Sequence, residues 1–200
     1  MNQLAALLLS SSVLVSASAL AAMPGDSVKD FKAQDQDGKA HQLYGAVAPK
    51  AIVLMIQGNG CPIVRQALPA LAEIRERYQA RNVEFLLLNS NLQDTQDAVA
   101  KEAAEFKIAF PVLIDNKQTI GEALGVVRTS EVFVIDPATR KLVYRGPMDD
   151  RLSYERQKPV EKHYLTDALD AVLAGREVQV KSADGVGCLV NFPNRKSKTT

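Results

Sequence analysis

The chain has no tryptophan, two histidines and two cysteines in 200 residues. Two cysteines in so long a chain are not a disulfide scaffold, so a core must do the stabilising and the thiols are left for chemistry. His41 and His163 stand alone without ligand spacing. Neither sign of charge prevails, with 24 Lys and Arg against 23 Asp and Glu. That balance supplies no field to attract nucleic acid or an anionic membrane, and neither partner is expected. Heptads, internal repeats and low-complexity blocks are missing too. The one long apolar run, Leu4 to Val15, is too short and too rich in serine to read as a membrane span.

That run reads instead as a targeting segment over residues 1–21. Ala19-Leu20-Ala21 offers the small residues a signal peptidase reads, with cleavage near Ala21 and Ala22 as the mature start. Met1-Asn2-Gln3 brings no Lys or Arg, and an uncleaved anchor is the alternative. The expectation is an exported protein of the periplasm or cell envelope, without stable membrane insertion after cleavage. Residues 22–200 fit one domain, with a flexible tail from about residue 191 ending in the basic stretch Asn194 to Thr200.

Asp35-Gln36-Asp37-Gly38-Lys39 reads as the turn of an N-terminal hairpin. Ala51 to Ile56 and Val83 to Leu88 are continuous apolar runs, the pattern of strands covered on both faces. Between them Val64, Ala67, Leu68, Leu71, Ile74 and Tyr78 form a helical stripe, with Pro69 inside it as a predicted kink. A helix from about Asp94 to Phe106 turns Val99, Ala103 and Phe106 inward. Phe110 to Asp115 is a strand, and Thr119 to Leu124 a short helix. Glu131 to Asp136 and Lys141 to Gly146 form a hairpin. A last helix runs from about Val160 to Ala174, closed by Gly175. The order predicts an α/β fold, a mixed sheet with helices on both faces. Tyr78, Phe85, Phe106, Phe133 and Tyr164 are read as core.

In such sheets ligands bind beyond the carboxyl ends of the strands, which is where Cys61 falls. Gly58-Asn59-Gly60 leads into it and Pro62 follows it, so the thiol opens a helix. Unpaired N–H groups and the positive end of the helix dipole favour thiolate there. Arg128 is either a cation beside that thiol or an ordinary surface arginine. Cys188 is either a structural tether or the thiol that resolves an intermediate on Cys61. Gly185-Val186-Gly187 before it supplies flexibility. A bond between the two sulfurs would close most of the mature chain into one loop, worth about 5 kcal/mol in the chain-entropy picture. A metal site from Cys61, Cys188 and one histidine would suit copper or zinc; the expected reading has no metal and no organic cofactor.

These residues resemble the thioredoxin superfamily, in its redoxin branch of peroxiredoxins and periplasmic thioredoxin-like reductases. Cys61-Pro62-Ile63-Val64 is similar to the family's Cys-Pro-x-Cys turn, and Pro69 falls on its kink proline. In that register Cys61 matches the exposed attacking cysteine and Val64 stands where the second cysteine would be. Arg128-Thr129-Ser130-Glu131-Val132-Phe133 resembles the strand preceded by the family's cis-proline, with Ser130 in the proline position. Gly58 stands where a peroxiredoxin has threonine. Gly187-Cys188 resembles the late Gly-Cys of a group of exported redoxin-domain proteins with a single Cys-Pro. The resemblance implies a thioredoxin-like fold, with Gly60, Pro62, Thr129 and Ser130 meeting the substrate. It also implies thiol-disulfide exchange at Cys61, with Cys188 or an external thiol resolving the intermediate, and partners that are protein thiols and disulfides or small peroxides, with an external thiol reductant. A peroxidase is one alternative. The other is a binding or scaffold module in which Cys61 and Cys188 are a static staple.

Overall fold

The computed structural model describes residues 22–193; the expected targeting segment and the basic end lie outside them. Among the described residues no helix is long and apolar enough to cross a membrane. β1 (Lys32–Gln34) and β2 (Ala40–Gln42) form the antiparallel N-terminal hairpin. Its turn closes because Asp35 Oδ1 accepts the N–H groups of Asp37 and Lys39, an Asx-type bond that stands in for a backbone turn.

The main sheet holds β3 (Ala51–Gln57), β4 (Val83–Asn89), β5 (Val112–Ile114), β6 (Val132–Asp136) and β7 (Lys141–Gly146). Their order is β5-β4-β3-β6-β7. β3, β4 and β5 are parallel, and β6 and β7 join antiparallel, giving the mixed sheet expected. β3 is buried along its whole length because both of its faces are covered. Ala51, Val53 and Met55 pack with Val64 and Leu71 of α1 (Pro62–Gln79) and with Leu165 and Leu169 of α4 (Tyr164–Leu173). Ile52, Leu54 and Ile56 pack with Ile120 and Leu124 of α3 (Thr119–Leu124). Each such buried aliphatic side chain contributes about 1.5–3 kcal/mol, so truncating Leu54 strikes at the centre of the second face. α1 runs on through Pro69.

Several boundaries differ from the sequence expectation, each for a polar reason. β5 is shorter than the predicted strand: Pro111 has no N–H to give, and the Val112 N–H goes to Gln36 Oε1. α2 (Gln96–Glu105) begins after Asp94, because Thr95 is its N-cap and accepts the Ala98 N–H at 3.2 Å. α4 begins four residues later than Val160, since Asp150 takes the N–H groups of Glu161 and Lys162. Phe106 is not core: it is 37 % exposed and lies under the Arg65 guanidinium, 3.8 Å from its ring centre. Asn191 and Phe192, expected in the frayed tail, are held in the fold. Phe192 is buried against the second face, and Gln118 Nε2 donates to the Asn191 carbonyl at 2.6 Å.

Candidate active site

The loop from β3 into α1 is fixed from beneath by two carboxylates. Gly60, in the left-handed region at φ +73°, turns its N–H onto Glu102 Oε1 and Oε2 at 3.0 and 2.9 Å. Arg65 pairs with the same carboxylate at 3.2 Å. Asp94 Oδ2 accepts the Asn59 N–H at 3.0 Å, with Asn89 Nδ2 and Asn91 Nδ2 donating to it at 2.8 and 3.0 Å. Glu102 and Asp94 are themselves buried. A buried carboxylate that accepts several N–H donors is costly to disturb, so these bonds hold the loop firmly. Cys61 then becomes the N-cap of α1, with Pro62 pre-set for the first helical turn.

Across from Cys61 lies the turn ahead of β6. Thr129 Oγ1 is 3.1 Å from Cys61 Sγ. The same oxygen accepts the Cys188 N–H at 2.9 Å, so its own proton is free to face the sulfur. Cys188 arrives on an extended segment laid antiparallel along residues 127–129. The Thr129 N–H donates to the Cys188 carbonyl at 2.9 Å, Arg128 bridges Leu189, and the Val190 N–H donates to the Val127 carbonyl. Gly187 is required at this crossing: a Cβ there would come within 1.9 Å of the Thr129 carbonyl oxygen.

Burial raises the Cys61 pKa, but four groups outweigh it and hold the thiol below its ordinary value. They are the Cys188 thiol, the Thr129 hydroxyl, and the backbone N–H groups of Val64 and Cys188. The side chain makes no cap hydrogen bond of ordinary geometry, yet Val64 at the helix start still favours the anion. Cys188 moves the other way, pushed up to about 11 by burial, by the hydrogen bond it gives Cys61 and by the negative charge there. The two sulfurs are unbonded, and their environments move their pKa values apart, Cys61 down and Cys188 up.

Two expectations change. Cys61 is not the exposed cysteine of the resemblance: it is 3 % exposed, because the Cys188 segment lies beside it. Arg128 is not among the leading groups that lower its pKa; the guanidinium reaches the Tyr154 hydroxyl at 3.1 Å. Of the residues expected to meet substrate, Gly60 and Pro62 are exposed at the rim, while Thr129 and Ser130 are buried. Ser130 stands in the left-handed region at φ +62°, its N–H on the Ile56 carbonyl, and its buried Oγ has no partner. His41 pairs with Asp35, away from the thiols. Sequence reasoning missed Glu102, although a carboxylate between Val99 and Ala103 on an inward helical stripe is a signal. It also missed Asp94 and Tyr154; no pattern marks the tyrosine.

A family model described as the AhpC/TSA family matches residues 24–145. The chain belongs to the AhpC/TSA family. It is thus a redoxin-domain protein of the thioredoxin superfamily. In this AhpC/TSA chain Cys61 and Thr129 fall inside the matched stretch, and Cys188 falls outside it. The thiol-disulfide oxidoreductase ResA of Geobacillus thermodenitrificans is 30 % identical over 112 residues, 56 % of this chain and 63 % of that protein. The chain therefore spans just under two thirds of that relative's length. Among solved structures, an uncharacterized conserved protein of Geobacillus kaustophilus is 27 % identical, with a TM-score of 0.76 over 88 % of this chain and 94 % of that one. A hypothetical protein of Sinorhizobium meliloti is 29 % identical, with a TM-score of 0.73 over 86 % and 95 %.

Proposed function

We propose that this protein is an exported thiol-disulfide oxidoreductase in which Cys61 is the nucleophile and Cys188 the resolving thiol. The observation that carries the reading is the pairing of a thiol held below its ordinary pKa with a second thiol that donates to it. Cys61 thiolate attacks one sulfur of a substrate disulfide. The substrate S–S bond breaks, a Cys61–substrate mixed disulfide forms, and the departing sulfur takes up a proton. Cys188 gives up its proton and attacks Cys61 Sγ. The Cys61–Cys188 disulfide forms and the second substrate sulfur leaves as a thiol. The substrate disulfide is reduced by two electrons, and an external dithiol restores the cysteine pair. The similarity to ResA supports disulfide chemistry, and the expected targeting segment supports the cell envelope, where protein thiols and disulfides are the partners.

One observation favours a second reading. Thr129 gives Cys61 the hydroxyl neighbour that Gly58 cannot, so attack on a peroxide oxygen would yield a Cys61 sulfenic acid and release an alcohol or water. Cys188 would then condense with it and expel water.

Incubating the Cys188→Ala variant with a protein disulfide or with hydrogen peroxide separates the readings. A mixed disulfide at Cys61, seen by mass spectrometry, with turnover lost in Cys61→Ser, is the expected result. A sulfenic acid trapped by a dione reagent, without mixed disulfide, moves the assignment to peroxidase. Full turnover in Cys61→Ser ends both, and a wild-type protein inert to both oxidants leaves the scaffold module.

A further inference from the structure

We infer that Tyr154 is a latch that holds the Cys188 strand over Cys61, and so a positioning residue for both thiols; the inference rests on Cys188 being the resolving thiol.

Tyr154 lies on the irregular segment between β7 and α4 and is 65 % exposed, so packing does not explain its placement. Its hydroxyl is fully used. It donates to the Gly187 carbonyl at 3.0 Å, accepts the Gly187 N–H at 3.2 Å and accepts Arg128 Nη1 at 3.1 Å. A phenol has one proton and two lone pairs, and all three are spent on the residue before Cys188 and on the strand it pairs with. The loop that carries the tyrosine has further bonds of its own. Arg151 pairs with Asp149, Lys158 with Asp150, and the Lys158 N–H donates to the Arg151 carbonyl.

The strand it holds is tethered at both ends and loose between. Upstream, the Arg145 N–H donates to the Lys181 carbonyl and Ser182 bridges Arg145. Downstream, Val190 and Phe192 are buried in the second face. Asp184, Gly185 and Val186 between them line two cavities, of about 480 and 260 Å³. That space and two glycines let the segment lift without moving its anchors. Among the described residues, Thr129 and the Tyr154 hydroxyl take the backbone N–H and carbonyl groups of Gly187 and Cys188, while Val186 and Cys188 rest half-buried against the core.

Closed, the latch keeps Cys188 donating to Cys61 and keeps Cys61 from solvent. Open, it bares Cys61 to a substrate disulfide. Reclosing returns Cys188 to Cys61 Sγ, where its attack forms the Cys61–Cys188 bond and expels the substrate sulfur, to which the proton from Cys188 passes.

The test is the rate of Cys61 alkylation by iodoacetamide in the reduced full chain, across pH, for wild type, Tyr154→Phe, Arg128→Met and Cys188→Ala. Tyr154→Phe keeps the ring and loses the bonds. Its rate at the high-pH plateau should rise about five-fold, the scale of one net hydrogen bond, and its midpoint should rise as Cys188 spends less time on the thiolate. Arg128→Met should move both in the same direction by less. A merely structural tyrosine would lower stability and leave plateau and midpoint alone. Unchanged plateau and midpoint in Tyr154→Phe, with a shifted midpoint in Cys188→Ala, overturns the latch and spares the enzyme reading. A Cys188→Ala variant that clears the mixed disulfide as fast as wild type overturns Cys188 as resolving thiol, and the latch with it.

Discussion

The two sides of this site are built to opposite specifications. The Cys61 side is a short loop clamped by Glu102 and Asp94, whose carboxylates take the N–H groups of Gly60 and Asn59. It leads straight from a fully buried strand into an 18-residue helix. The Cys188 side is an extended segment outside the regular elements, docked by a few backbone bonds, Thr129 and one exposed tyrosine. A nucleophile needs a fixed electrostatic setting, because its pKa depends on where donors point. A resolving thiol must leave for substrate and come back, and weakly held segments are the ones that open at small free-energy cost. The contrast is the one that the roles proposed for the two thiols call for.

The strongest way to break it is at the crossing of the two sides. Gly187→Ala puts a Cβ within 1.9 Å of the Thr129 carbonyl, so the strand must lift. Formation of the Cys61–Cys188 disulfide on mild oxidation should slow by about a hundred-fold, a loss of nearly 3 kcal/mol of positioning. Equal oxidation rates, followed by quenched alkylation and mass spectrometry, would mean that the strand is not needed. On the clamped side, Glu102→Ala leaves the Gly60 N–H and Arg65 without their acceptor. Urea unfolding should show a loss of about 2 kcal/mol, since one donor is backbone and Arg65 is partly exposed.

Cys188→Ala sharpens the comparison through pH. The Cys188 thiol leads the groups that hold the Cys61 pKa down. Removing it should raise the alkylation midpoint, so reactivity at neutral pH falls while reactivity above the midpoint is kept. A midpoint that stays put or drops would show that Thr129 and the helix start suffice. The smallest effect is expected from Thr95→Ala, which uncaps the helix that carries Glu102. It should cost about 1 kcal/mol by thermal or urea unfolding and leave the Cys61 midpoint unmoved. A moved midpoint would mean the clamp reaches the thiol.

Much of the fold was legible before the structure. Ala51 to Ile56 reads as a strand covered on both faces because every position is apolar. The α1 stripe from Val64 to Tyr78 reads as a helix because its spacing keeps one side. Phe106 fits the inward spacing of α2 and still turns out, since Arg65, in the first turn of α1 and far away in sequence, offered its ring a cation. Arg128 fits the role of a neighbouring charge and is diverted by a tyrosine hydroxyl that sequence spacing does not connect to it.

Periodicity and local chemistry are short-range properties, so the chain's order of residues determined its strands, its helices and the start of α1 at Cys61. Which groups would stand around that sulfur was decided only in three dimensions. Thr129 lies 68 residues from Cys61 and 59 from Cys188 along the chain. Contacts at such separations come from how elements pack and from where an irregular segment finds unpaired N–H and carbonyl groups, and no local pattern encodes that.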